Sequence, residues 1–225
     1  MSMVTSISQA FSEGGIWMWL IAAAQITSLA IIVERVHALF LSRQLNQKQI
    51  ASAFEADIRK GQLDRVITRA QAMGKSSPIA VVAQAGAQAA LDHGGKEEIQ
   101  LKMDEVLMEE TSRLEKRTGF LAMLGNIGTL LGLLGTIVGL IRAFTSVSAA
   151  NPVEKAALLS QGVAEAMYAT AYGLITALPA LIMYAVLMNR SNQLGEDLQK
   201  AAMKLYILLG FNYESVPTAS KKKSS

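Results

Sequence analysis

Residues 119–141 read GFLAMLGNIGTLLGLLGTIVGLI, a run without a charged residue. Within it Gly125, Gly128, Gly132, Gly135 and Gly139 follow one another by alternating steps of three and four. On an α-helix that spacing puts all five on one face. Glycine weakens a helix in water. Inside a bilayer the same stripe lets another backbone come close. At about 1.5 Å per residue, about 20 apolar residues cross a hydrocarbon core of roughly 30 Å. The stretch therefore reads as a membrane-spanning helix of a packed bundle. It is not a phosphate loop, because no Lys follows the glycines and no strand precedes them.

Two more charge-free runs lie outward from it. Residues 166–189 follow a lone Glu165, and residues 16–33 lie near the N-terminus. The latter is short for a span and must borrow residues 34–37 at one end or Gly14 and Gly15 at the other. Trp17 and Trp19 near its start suit an interfacial anchor. A secretory leader is the competing reading. Against it, no basic residue precedes the run, and Ala22, Ala23 and Ala24 sit in its middle rather than after it. Composition agrees with a membrane protein: of 225 residues 51% are hydrophobic and 17% charged, where a soluble domain carries about 25% charged. A formal charge of +3 is too balanced to argue for nucleic acid. With no Cys and two His, disulfides, thiolate metal sites and a cysteine nucleophile are excluded, and no cofactor or metal site is expected.

The flanking charges orient the spans. No Lys or Arg precedes the first, whereas Arg35 and Arg43 follow it. Arg113, Lys116 and Arg117 precede the second; Arg190, Lys200, Lys204 and Lys221–Lys223 follow the third; only Arg142 and Lys155 lie between the second and third. The positive-inside rule places the N-terminus outside and the C-terminus in the cytoplasm. The expected organisation is an external segment 1–15, span 16–37, cytoplasmic helical domain 38–118, span 119–144, external loop 145–160, span 161–189, cytoplasmic helix 190–213 and a disordered basic tail 214–225.

The fold class is thus all-α, with three transmembrane helices, two of them extending as long helices into the cytoplasm. In the cytoplasmic domain Ile50, Phe54 and Ile58, then Leu63, Val66 and Ile67, recur at helical spacing, with Gly61 between two short helices. Residues 74–78 break the chain again, 79–91 are helix-prone, and Asp92-His93-Gly94-Gly95 reads as a turn. From Lys96 no Pro intervenes, and residues 96–144 read as one unbroken helix. Its apolar stripe (Ile99, Met103, Val106, Leu107, Leu114) needs neighbours. Together with the glycine stripe it predicts tight homo-oligomers.

A few polar groups lie within the spans. Thr129 and Thr136 each follow a stripe glycine; a hydroxyl there either bonds its own helix carbonyl or serves water and protons. Glu165 is either a functional intramembrane carboxylate or an end charge beside Arg142 or Lys155. Thr170 lies about 140° round the helix from it, and Pro179 is a candidate kink. The pairs Glu97/Glu98 and Glu109/Glu110 read as solvated helix faces.

The motifs Leu124-Gly125-Asn126-Ile127-Gly128, Leu131-Gly132-Leu133-Leu134-Gly135-Thr136-Ile137-Val138-Gly139-Leu140 and Gly162-Val163-Ala164-Glu165-Ala166-Met167-Tyr168-Ala169-Thr170-Ala171-Tyr172-Gly173-Leu174, with Ala177-Leu178-Pro179-Ala180 after them, resemble those of the ExbB/TolQ/MotA family of proton-channel stator proteins. The likeness is nearest the ExbB/TolQ branch, since the MotA branch carries four spans. The resemblance implies a homopentamer in a bacterial inner membrane, N-terminus periplasmic. A dimer of an ExbD/TolR-like single-span protein would lie in its central pore, with membrane lipid around it and a further envelope protein as recipient of the force. It also implies that proton-motive force drives envelope transport, envelope integrity or motility, and that the chain is not an enzyme. The family threonines fall on Thr136 and Thr170 and its glutamate on Glu165; the proton-carrying aspartate belongs to the partner. The alternative is a non-conducting scaffold of the same fold.

Overall fold

The computed structural model describes residues 15–41, 47–74, 77–92, 95–149 and 151–213. Seven α-helices follow one another among them: α1 (Gly15–Val36), α2 (Gln47–Arg59), α3 (Leu63–Met73), α4 (Pro78–Leu91), α5 (Lys96–Glu115), α6 (Thr118–Ala149) and α7 (Lys155–Tyr213), with a π-helical turn, His37–Leu41, after α1. Among the described residues three helical stretches are long and apolar enough to cross a membrane: Ile16–Phe40, Lys96–Ser148 and Lys155–Phe211. The last two run far beyond the length a bilayer needs. The external segment 1–15 lies outside the described residues save its last residue. His93 and Gly94 of the expected turn and the basic tail 214–225 also lie outside them.

Two compact units emerge, Met1–His37 with Lys116–Asn189 and Ala38–Glu115 with Arg190–Ser225. In the first, α1 packs on α6, and α6 packs on the first part of α7 along the glycine stripe. Large side chains such as Trp19, Ile26, Leu130, Ile137, Ile175 and Ile182 stand exposed on its outside, as suits helices solvated by acyl chains rather than water.

The second unit has an aqueous-style core. Phe54 and Ile58 of α2, Leu63 and Val66 of α3, Ile99 and Met103 of α5, and Leu198, Leu205 and Leu209 of α7 enclose α4. Ala80, Ala83, Ala87 and Ala90 keep α4 slender enough to be surrounded. Gly61 (φ +70°) and Gly74 (φ +63°) end α2 and α3 in the left-handed region, where a side chain would be strained. Pro78 opens α4, where its missing N–H costs nothing. The Ile79 amide donates to Gln47 Oε1 at 3.3 Å, satisfying a helix-start donor from another helix. Arg69 reaches Asp57 at 2.9 Å and Lys204 reaches Glu55 at 2.8 Å, tying α3 and α7 to α2.

The chain departs from the unbroken helix expected over 96–144. Lys116 and Arg117 form a turn, and Arg117 takes φ +66° although it is not glycine. Its guanidinium donates to both carboxylate oxygens of Glu34, at 2.7 Å each. That ion pair, 83 positions apart in sequence, holds a backbone conformation that costs an L-residue about 1 kcal/mol or more. Between the second and third spans, α6 runs to Ala149 and α7 starts at Lys155.

Candidate functional site

The glycine stripe of α6 faces α7 of the same chain, and all five glycines are buried. A methyl group built on Gly132 would lie 3.1 Å from the Ala169 carbonyl oxygen and 3.3 Å from the Cα atoms of Thr170 and Gly173. One on Gly139 would lie 3.0 Å from the Ala166 methyl, and one on Gly125 2.8 Å from Leu181. Gly173 reciprocates: its methyl would meet the Gly128 oxygen at 2.7 Å. The contacts descend α7 as they ascend α6, so the two helices are antiparallel. The stripe is thus filled within one chain. It does not argue for contacts between copies, as the sequence suggested it would, because its counterpart is a span of the same polypeptide.

Close approach exposes an α6 carbonyl to α7. The Thr170 hydroxyl donates to the Gly132 oxygen at 3.2 Å, a bond that a side chain at 132 would obstruct. Thr136 donates to Leu133 O at 2.6 Å and Thr129 to Gly125 O at 2.9 Å, both within α6. Of the threonines singled out from sequence, then, only Thr170 bonds across helices. A hydroxyl that donates still has lone pairs for water.

Glu165 is half-buried on the flank of α7 opposite Thr170. Its carboxylate makes no hydrogen bond or ion pair among the described residues, so neither Arg142 nor Lys155 neutralises it there. The helix runs on through Pro179, whose side is exposed.

Sequence reasoning missed a second interhelical bond. The Tyr172 hydroxyl donates to Gln25 Oε1 of α1 at 2.6 Å. The available signal was that Gln25 is a lone amide in the apolar run 16–33, and a buried phenol normally finds a partner. One helical turn on, Thr176 is buried and its hydroxyl has no partner among the described residues. Trp17 closes the α1–α6 side, its Cβ lying 3.5 Å from where a Gly135 methyl would be.

In the second unit Glu109 and Glu110 both pair with Arg113, and Glu110 is buried rather than solvated. Lys204 and then Arg59, hydrogen-bonded to Glu55, hold its carboxyl below the usual carboxylate range. A cavity of about 490 Å³ lies between α5 and α7, lined by Asp104, Leu107, Thr111, Glu115 and Gln199 among others. Among the described residues no three His, Asp or Glu side chains group as metal ligands would.

Compared with known proteins, residues 74–200, more than half the chain, match the model of the MotA/TolQ/ExbB proton channel family. The chain is also similar to a solved chain of C. jejuni MotAB, with a TM-score of 0.61 and 18% identity over 97% of this chain and 95% of that one. At that identity the likeness concerns the fold. No curated protein matches.

Proposed function

The chain belongs to the MotA/TolQ/ExbB proton channel family, whose members are channel and stator components rather than enzymes, and on that premise we propose that it is the proton-conducting stator subunit of an inner-membrane motor. The observation that carries this reading is the reach of the family match, which takes in the whole glycine-striped helix together with Glu165 and Thr170. Five copies would surround two single-span partner helices of the ExbD/TolR type, the partner supplying the carboxylate that carries the proton. Three helices long and apolar enough to cross a membrane among the described residues support that branch. The N-terminus would be periplasmic and the C-terminus cytoplasmic, placing Glu165 near the periplasmic entrance.

In this reading Glu165, without an ion pair among the described residues, attracts cations and orders water at the mouth. Thr136 and Thr170 offer their free lone pairs to water deeper in the path. Each proton crossing 100 mV releases roughly 2.3 kcal/mol, so a few protons suffice for a conformational step.

One observation favours the scaffold reading instead. The hydroxyls of Thr129, Thr136 and Thr170 all donate to backbone carbonyls, as they would in a bundle that conducts nothing. Proton uptake by vesicles holding the complex, purified from its native membrane, separates the two. The wild type should conduct. Thr170→Val should lose most of the flux with the oligomeric mass retained, Thr170→Ser should restore it, Thr136→Val and Glu165→Ala should reduce it, and Thr129→Val should leave it nearly unchanged. Absent wild-type flux, or full flux in Thr170→Val, would overturn the assignment.

A further inference from the structure

Thr170 and Tyr172 are two residues apart on α7, so their side chains leave the helix about 200° apart. One is bonded to α6, at the Gly132 oxygen; the other is bonded to α1, at Gln25 Oε1. The third side of this triangle is closed as well. α1 is docked on α6 by Trp17 against Gly135 and by the Glu34–Arg117 ion pair. The third span is therefore held from two nearly opposite sides by helices that are themselves fixed to each other. Turning α7 about its axis moves the two hydroxyls in opposite directions, so neither bond can follow the turn. The close α6–α7 contact holds the two axes together, and these two bonds add a directional resistance to such a turn.

We propose that Tyr172 and Gln25 are a positioning pair for the ion path: their bond sets the rotational position of α7 and, through it, the place of the Thr170 hydroxyl. This rests on the proton-path role given above to Thr170. Tyr172 handles no proton in this scheme; it acts at a distance of two residues. A membrane protein has reason to use a hydrogen bond for this purpose. The apolar contacts around it are nearly as favourable with lipid as with protein, whereas a phenol held between spans without an acceptor is penalised.

The test uses the complex from its native membrane carrying Tyr172→Phe, Gln25→Leu or both. Proton flux in vesicles is read beside oligomeric mass. The rotational position is read by thiol labelling of Ala171→Cys, an exposed position in a chain with no cysteine of its own. A membrane hydrogen bond of about 0.6 kcal/mol corresponds to about threefold. Each single variant should shift both flux and labelling rate by about that factor or more, with mass unchanged. The double variant should shift them no further, because both changes delete one bond. Effects that multiply in the double variant, or labelling rates equal to wild type in both singles, would overturn the proposal. Should Tyr172→Phe fail to assemble, labelling of Gln25→Leu in intact membranes decides, an unchanged rate overturning it. Should the wild type carry no protons, the proton-path reading falls while the labelling rates still decide whether the pair fixes α7.

Discussion

The two units of this chain both rely on small residues, and they do so against different neighbours. On α6 the glycines meet backbone: a methyl on Gly132 runs into a carbonyl oxygen and two Cα atoms. On α4, Gly86 meets the ends of side chains, Met103 Sδ at 2.7 Å and Leu209 Cδ1 at 2.9 Å. Backbone cannot yield without moving a helix, whereas a methionine or leucine end can change rotamer. The difference follows from solvent. In water, burying large side chains stabilises a core, so α4 is slim and its neighbours are bulky. In lipid, burying a leucine gains little over leaving it in acyl chains, so the stabilising step is to bring helix axes together until dispersion and interhelical hydrogen bonds act.

If this contrast holds, the second unit should break by deletion and the first by addition. The largest effect is expected from Phe54→Ala, which empties the centre of the alanine-walled core. Such truncations cost about 3–5 kcal/mol, and amide exchange in α4 should accelerate accordingly while exchange in α6 stays as in the wild type. Exchange rising equally in both units would merge what the contrast separates.

Next comes a matched pair. Gly173→Ala places a methyl 2.7 Å from the Gly128 oxygen and should destabilise by about 1–3 kcal/mol, the range for overpacking. Gly86→Ala meets flexible ends and gains about 0.8–1 kcal/mol of helix propensity, so its thermal midpoint in detergent should stay near wild type. Equal losses in the two variants would show that backbone and side-chain neighbours are equally unyielding.

The smallest effect concerns charge. Because Lys204 and Arg59 depress the Glu55 carboxyl, its contribution is present above the ordinary carboxylate pKa and is lost as pH falls through the lowered value. Acidification below about pH 4.5 should loosen the α2–α7 contact slightly in wild type, and Glu55→Gln should remove that pH dependence. The exposed position of these groups keeps the effect small.

Much of the architecture was legible in the sequence because its cause is local. Charge-free runs mark the spans, Gly61 and Gly74 mark turns, and Pro78 marks a helix start. The break at Arg117 was not, since nothing nearby requires it: a non-glycine residue is held left-handed by a carboxylate on another span. The partner of the glycine stripe was not legible either. A stripe announces close packing but carries no address, and a second copy of the chain satisfies the pattern as well as α7 does. The site was divided in the same way. Glu165, Thr136 and Thr170 could be named from motif, yet the bond from Thr170 to Gly132 and the one from Tyr172 to Gln25 join positions far apart in the chain, where periodicity has no reach.

The seating of Trp17 against Gly135 has an optical consequence. The chain has two tryptophans; Trp19 is 66% exposed on the apolar surface of α1, while Trp17 is half-buried and its indole nitrogen is enclosed with no partner among the described residues. A quencher dissolved in the acyl chains reaches the first indole more readily than the half-buried second. The share of emission quenched last is weighted toward the α1–α6 junction, and its loss would report the first span leaving its seat.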